Sequence, residues 1–312
     1  MIKKLTSILV CALLFCGCGT LEVKRDRPDE TIGVVLKAMN SQHWMEVRSG
    51  MEHAAVEADV ELRLLYPESE TAEQEQEDLI RDQLTHGVDA LIVAPCNSNH
   101  TKWFVDQAQA DNVQVVTVDT RALDCSLPYI GADNLAIGEM AAEYFSEHLP
   151  KNAEISVIAG PEQQSTHIDR IRGFQDGMAQ NGQDRIFRTI YGDSTFRQGM
   201  RAAEELIFDD SKDHGLFCTS AVLGLGAVIQ LRDREDISIL AVDTQDDAIQ
   251  AIQDGSIDAL ITQSGYEIGY RAIWAAVEAL RSGEKIEDIL LPGILLTEEN
   301  IEEFLETYHT EA

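Results

Sequence analysis

The sequence predicts an α/β protein whose parallel sheets, covered by helices, form two similar lobes. Three observations carry this expectation. From Thr31 onward, apolar β-branched runs alternate with amphipathic stretches of helical period, the pattern of parallel strands packed between helices. The 312 residues are long for one core and fit two. Val115-Val116-Thr117-Val118-Asp119 is echoed by Ile239-Leu240-Ala241-Val242-Asp243, each a buried-strand pattern ending on one Asp.

Taken in order, residues 1–17 read differently from the rest. Lys3 and Lys4 precede a mostly apolar run over 5–15, too short for a typical membrane span and shaped like an export signal. Gly17-Cys18-Gly19 then resembles a bacterial lipoprotein cleavage site, with Cys18 as the lipid-bearing residue. Phe15 stands where Leu is usual, so an ordinary signal peptide is the alternative. Residues 18–30, with Arg25, Arg27 and Pro28, read as a tether. Strands are expected at 32–36, 60–65, 90–93, 113–118, 155–158, 216–218, 237–242 and 259–262. Helical patterns between them include 45–58, 70–86, 136–148 and 198–208.

Charge and motifs exclude several function classes. The chain carries 55 acidic against 24 basic side chains, a net charge of −31 that becomes −33 without Lys3 and Lys4. Nucleic acid is repelled by such a surface, and an anionic bilayer is too, so attachment needs the lipid rather than a basic patch. The acidity itself is read as solubility. The acidic run at 73–78 lacks the alternating oxygen ligands and central Gly of a calcium loop and reads as a solvated helix face. Of six Cys, Cys11, Cys16 and Cys18 belong to the signal region. No CxxC or clustered Cys/His pair points to a metal. Cys96 and Cys125 follow strands expected to be neighbours and are expected to pair as a disulfide, leaving Cys218 alone. Nothing like GxSxG, HExxH or a P-loop occurs, so neither an enzyme nor a cofactor is expected. Asp119 and Asp243 as a glycosidase pair remain the distant alternative. Gly224-Leu225-Gly226 reads as close helix packing.

Ligands of open α/β sheets sit beyond the carboxyl ends of the strands, and several polar residues fall there. Asn40, Ser41, His43 and Trp44 follow the first strand and offer amide, hydroxyl, imidazole and indole groups. Trp44 either supplies a flat face to a sugar or packs in the core. Asp119 and Asp243 can accept from adjacent hydroxyls, and Gln263 adds one acceptor and two donors; any one of them alone could instead cap a turn or helix. Asp119→Ala or Asp243→Ala is expected to remove ligand-induced stabilisation and leave the ligand-free fold intact.

With these residues in view, the chain resembles the sugar-binding periplasmic-protein family of the ribose- and galactose-binding type. The likeness covers nearly all of 31–303 and lies in Ile32-Gly33-Val34-Val35, Gly87-Val88-Asp89-Ala90-Leu91-Ile92-Val93-Ala94-Pro95, Gly131-Ala132-Asp133-Asn134, Arg170-Ile171-Arg172-Gly173-Phe174 and Asp254-Gly255-Ser256-Ile257-Asp258-Ala259. It implies two Rossmann-like lobes, 31–132 with 264–291 and 133–263 with 292–312, joined by hinges near 131–134, 262–265 and 291–295. It implies a ligand in the cleft, held by Asn40, Ser41, His43, Trp44, Asp119, Ser220, Asp243 and Gln263, with Lys37, Arg121, Gln164, Ser165, Thr166 and Tyr266 as further positions.

The pattern departs from the ribose binders at several points. Thr120 stands where an Arg is frequent, Ile168 where another is usual, Ser220 for a frequent Asn and Ser194 for a frequent aromatic. Arg170 matches the structural Arg of its motif. The resemblance implies a monomeric receptor for a small polar ligand, a sugar. It is exported and lipid-anchored at the outer face of the cytoplasmic membrane or in the periplasm. It hands the ligand to an ABC permease or presents it to a membrane sensor. Related repressors carry an N-terminal DNA-binding helix-turn-helix, where this chain has a signal and tether.

Overall fold

The computed structural model describes residues 30–182, 186–206 and 212–311. The export signal, Cys18 and tether residues 18–29 lie outside them. Strands β1 (Thr31–Val35), β2 (Glu61–Leu65), β3 (Ala90–Val93), β4 (Gln114–Val118), β5 (Tyr129–Ala132) and β11 (Ile289–Leu291) form one sheet in the order β11-β5-β4-β3-β1-β2, parallel throughout. Strands β6 (Glu154–Ala159), β7 (Ile186–Tyr191), β8 (His214–Cys218), β9 (Ile237–Val242), β10 (Ala259–Ile261) and β12 (Leu295–Thr297) form the second in the order β12-β10-β9-β8-β6-β7. There β12 departs from the parallel expectation and runs antiparallel to β10.

Side-chain alternation along the strands builds a core on each face of each sheet. In the first lobe Ile32 and Val34 face a cluster with Trp44, Met51 and Ile273, from α1 (Gln42–Ala58) and α9 (Gly265–Ser282). Val35 and Leu91 face the other way, toward Ile80 of α2 (Glu73–His86) and Phe104 of α3 (Lys102–Ala110). The second lobe repeats this with α4 (Asn134–His148) and α5 (Ser165–Gln180) on one face. Helices α6 (Phe196–Glu205), α7 (Ala221–Leu231), α8 (Asp246–Gln253) and α10 (Ile301–Glu311) lie on the other.

Glycine sets the closest helix approaches. A Cβ on Gly50 of α1 would stand 2.0 Å from the Tyr266 carbonyl oxygen of α9. One on Gly226 would stand 2.2 Å from the Phe196 carbonyl oxygen, so the Gly-Leu-Gly stretch packs α7 on α6 as its sequence suggested. No described helix is long and apolar enough to cross a membrane.

The chain passes between the sheets three times, at 132–134, 262–265 and 291–295. Strands β5, β7, β11 and β12 were not legible as runs. Two of these have only three residues, and β5 is a four-residue Tyr-Ile-Gly-Ala. Helix α1 starts three residues earlier than its apolar period and α2 three later, leaving Glu70 in a loop. Helix α6 ends at Glu205; Phe208 lies outside the described residues.

The expected disulfide is absent: Cys96, Cys125 and Cys218 are free thiols. Cys96 is turned into the protein, its backbone N–H held by Gln76 Oε1 at 2.8 Å and its thiol pushed up to about 12 by burial. Cys125 instead rides on the loop that docks at the start of α3. There Asp124 accepts from the backbone N–H groups of Thr101 and Lys102, and the Cys125 Sγ lies 3.3 Å from Thr101 Oγ1.

Candidate functional site

The two echoing Asp residues meet at one cleft. Asp119 follows β4 and Asp243 follows β9, and each donates its backbone N–H to the next strand, Asp119 to Ile130 at 2.9 Å and Asp243 to Ile261 at 3.0 Å. Both have left-handed backbones, φ 61° and 92°, a conformation uncommon for non-glycine residues and concentrated at functional sites. Both are nearly fully buried and line one small cavity of about 40 Å³.

The first-lobe wall is a connected polar network. Gln76 ties the ends of β1 and β3 together by donating to the carbonyls of Leu36 and Ala94. Beyond β1, Lys37 Nζ lies 3.3 Å from Asp119 Oδ1 and 3.8 Å from Glu70 Oε2. His43 Nε2 sits 3.0 Å from Asp119 Oδ2, and Thr120 Oγ1 donates to Oδ1 at 2.8 Å. An ionised carboxylate only accepts, so His43 carries its proton on Nε2. Burial is the largest influence on Asp119 and would raise its pKa. The Lys37 charge, His43 and Thr120 together outweigh it and hold the carboxyl far below the ordinary range. Burial likewise lowers His43, but the hydrogen bond and charge of Asp119, helped by Asp243 and Glu46, turn the net shift upward.

Trp44 was expected as a possible stacking face. It is 2% exposed, its Nε1 donates to Glu70 Oε1 at 3.0 Å, and the Lys37 ammonium sits 5.3 Å from its ring centroid. Its indole N–H and part of its ring thus engage Glu70 and Lys37, and the residue also lines the cavity.

The second-lobe wall is sparer. Gln263 donates through Nε2 to Asp243 Oδ1. His167 pairs through Nδ1 with Thr219 Oγ1 at 2.8 Å and faces Ser194 Oγ at 3.4 Å. Burial first, then the charges of Lys37 and Arg170, hold His167 well below its usual pKa, so it is neutral. Arg170 donates to Asn134 Oδ1 and to the Thr219 carbonyl. Ser220 and Gln245 are the N-cap residues of α7 and α8, and neither side chain caps its helix.

Of the residues singled out from sequence, Lys37, Asn40, Ser41, His43, Trp44, Asp119, Thr166, Ser220, Asp243 and Gln263 line this cavity. Gln164 and Ser165 instead bridge the lobes beside it. Gln164 accepts from Lys37 Nζ at 2.9 Å and donates to the Glu70 carbonyl at 3.1 Å, while Ser165 Oγ accepts from the Arg121 backbone N–H at 2.7 Å. On the other flank the Gln42 side chain meets Asp246. The Arg121 side chain turns away to Asp288 and the Tyr129 ring. Tyr266 points from α9 to His53, outside the cavity. Sequence reasoning missed Glu70, His167, Ser194, Val222 and Gln245 as lining residues, and took Arg170 as structural only. Gln245 had a signal, two residues past the strand-end Asp243 and just before a helix.

Four buried polar atoms of the cavity-lining residues have no protein partner: His43 Nδ1, Arg170 Nη2, Ser220 Oγ and Gln245 Nε2. Such atoms are rare in folded proteins because each costs about 1–3 kcal/mol. Among the described residues no group of three or more His, Cys, Asp or Glu could hold a metal ion. Polar and charged side chains make up most of the cavity lining.

Residues 32–285 match the family described as periplasmic binding protein domain. The chain belongs to that family. As a periplasmic binding protein of the type I fold, it is 25% identical over 296 residues to the ribose import binding protein of Bacillus subtilis (strain 168), covering 91% of this chain and 95% of that one. It is 20% identical over 283 residues to the D-allose-binding periplasmic protein of Escherichia coli (strain K12), covering 85% and 91%. Among solved structures, the Caulobacter myo-inositol binding protein bound to myo-inositol superposes with a TM-score of 0.81 at 22% identity, covering 88% of this binding protein and 95% of that chain. The XylFII-LytSN complex gives a TM-score of 0.79 at 22% identity, covering 88% and 98%.

Proposed function

We propose that this binding protein is an extracytoplasmic lipoprotein, anchored through Cys18, that captures a sugar or a close polar relative between its lobes and hands it to an ABC importer. The observation that carries this reading is that four residues lining one cavity between two lobes each keep a buried polar atom without a protein partner. Ribose, D-allose and myo-inositol, named for its relatives, are all small polyhydroxylated molecules. The mechanism is population shift: only the closed arrangement brings the walls that carry Asp119 and Asp243 onto one ligand, so binding favours closure over the open state. The three crossing segments act as hinges, and the permease reads closure. A sensory role is the second reading, favoured by the similarity to the XylFII-LytSN complex.

Thermal-shift screening of sugars and polyols tests the reading. A true ligand at about 100 times its Kd adds about 2.7 kcal/mol of stability. Solution scattering with that ligand is expected to show a smaller radius of gyration. Gln164→Ala removes two bonds across the cleft and is expected to weaken affinity by about 1–3 kcal/mol while enlarging the ligand-free particle. Unchanged scattering at saturating ligand would rule out the closing mechanism.

A further inference from the structure

Arg170 is 1% exposed and lines the cavity. Its Nε donates to Asn134 Oδ1 at 2.9 Å and its Nη1 to the Thr219 carbonyl at 2.6 Å, both neutral acceptors. Its Nη2 has no partner, and among the described residues the guanidinium forms no ion pair. A cation buried without a counter-charge is costly. The other lysine or arginine of the cavity differs: Lys37 is matched by Asp119 and Glu70. The one carboxylate of the second-lobe wall, Asp243, accepts from Gln263 and is not paired with Arg170. The wall therefore holds one cation and one carboxylate, and Arg170 and Asp243 are not paired with each other.

A second feature points the same way. Ser220 and Gln245 stand at the N-termini of α7 and α8 without capping them, and Ser220 Oγ and Gln245 Nε2 are both unpaired. Ser220 is 7% exposed. Helix N-termini carry partial positive charge and favour anions. Three residues of this wall that line the cavity, Arg170, Ser220 and Gln245, thus each keep a buried group able to donate and without a protein partner. A hydroxyl can accept from one of them but brings no charge. A carboxylate brings two acceptor oxygens and a charge that the unpaired Arg170 nitrogen can meet directly. Asp243, an acceptor in the same wall, calls for a hydroxyl donor beside it.

Resting on the receptor reading above, we propose that the ligand is a sugar acid, its carboxylate received by Arg170, Ser220 and Gln245 and its hydroxyls by Asp243 and the first-lobe wall. Arg170 is then a specificity residue as well as a structural one. Two neutral partners fix its plane, and the third nitrogen is kept for the ligand.

The test is calorimetric titration and thermal shift of the full chain with D-ribonate, D-gluconate and D-glucuronate against D-ribose, D-allose and myo-inositol. An acid is expected to bind at least about tenfold tighter than its neutral counterpart, the worth of one charge-assisted bond. Arg170→Gln is expected to weaken the acid roughly ten- to a hundredfold, with Arg170→Lys recovering part of the loss. Should Arg170→Gln fail to fold, Ser220→Ala and Gln245→Ala carry the same comparison, each weakening the acid selectively by roughly three- to tenfold. Neutral sugars that bind as tightly as the acids, or more tightly, overturn the sugar-acid inference and leave the receptor reading standing. No stabilisation by either set overturns the receptor reading and this inference with it.

Discussion

Asp119 and Asp243 occupy matching places, one at the end of a central strand in each lobe, yet one is saturated and the other is nearly bare. Asp119 is held by Lys37, His43 and Thr120. Asp243 has the Gln263 amide. The same left-handed strand end therefore serves two purposes. On the first lobe it anchors a preformed ionic wall, whose cations are already spoken for before any ligand arrives. On the second it leaves acceptor capacity facing the cavity. Position at a strand end reveals that a carboxylate meets the cleft; the count of its protein partners reveals whether it has anything left to offer.

The largest expected effect separates the two. Asp119→Ala leaves Lys37 and His43 buried beside a lost counter-charge and is expected to destabilise the ligand-free protein by about 3–5 kcal/mol. Asp243→Ala leaves one amide unpaired and is expected to cost about 1–3 kcal/mol while abolishing ligand-induced stabilisation. Urea denaturation of the ligand-free variants checks this, and equal losses would break the comparison. The expectation from sequence that both alanine variants keep an intact ligand-free fold is thus revised for Asp119.

A smaller effect concerns pH. The folded pKa of His43 lies above its unfolded value. Its contribution to stability is therefore complete below about pH 6.5 and is lost as pH rises through the raised folded value. The Asp119 pKa is depressed, so its contribution holds above about pH 3.9 and is lost only as pH falls toward its folded value. Titration of His43 by nuclear magnetic resonance is expected to give a midpoint above about 6.5. Asp119→Asn is expected to drop it below, because burial then acts with little opposition. Asp243→Asn, which acts on His43 only through space, is expected to move it less. The reverse order would show that the first-lobe wall is not the ionic one.

The smallest effect sharpens the meaning of saturation. Thr120→Val removes one of the partners of Asp119 and is expected to cost about 0.5–1.5 kcal/mol, because Lys37 and His43 remain. Gln263→Leu removes the hydrogen-bond donor of Asp243 and is expected to change ligand affinity more than Thr120→Val does. Calorimetry on both variants measures the contrast.

Much of this was legible in the sequence because strand ends fall where the continuous apolar runs stop. The eight longer runs located both sheets, and Asp119, Asp243 and Gln263 followed from them. The edge strands β11 and β12 were missed because each is three residues long and only partly buried, unlike the equally short but fully buried β10. The role of Trp44 was open because a ring that could stack on a sugar also packs, and in the fold it both joins the core cluster and lines the cavity. Arg170 was half-read for a similar reason: its two structural bonds are implied by its motif, but the unpaired third nitrogen exists only in three dimensions. The Cys96–Cys125 expectation failed because strand adjacency fixes the backbones and says nothing of which way a loop docks.

Three crossings between the sheets mean that neither lobe is one stretch of chain. The first sheet begins at Thr31, yet its edge strand β11 and its largest covering helix α9 come from beyond residue 264. Glu57 of α1 and Tyr270 of α9 share a hydrogen bond at 2.6 Å across 213 residues of sequence. During synthesis, a chain that has reached residue 261 already holds β6 to β10 of the second lobe, while the apolar face of α1 around Val47 and Met51 still lacks its cover. Long-range closure of this kind is slow, and a half-built lobe with bare apolar surface is prone to aggregate. The lobe whose chain begins first thus stays unfinished until α9 and β11 are present, and the chain must be kept soluble until then.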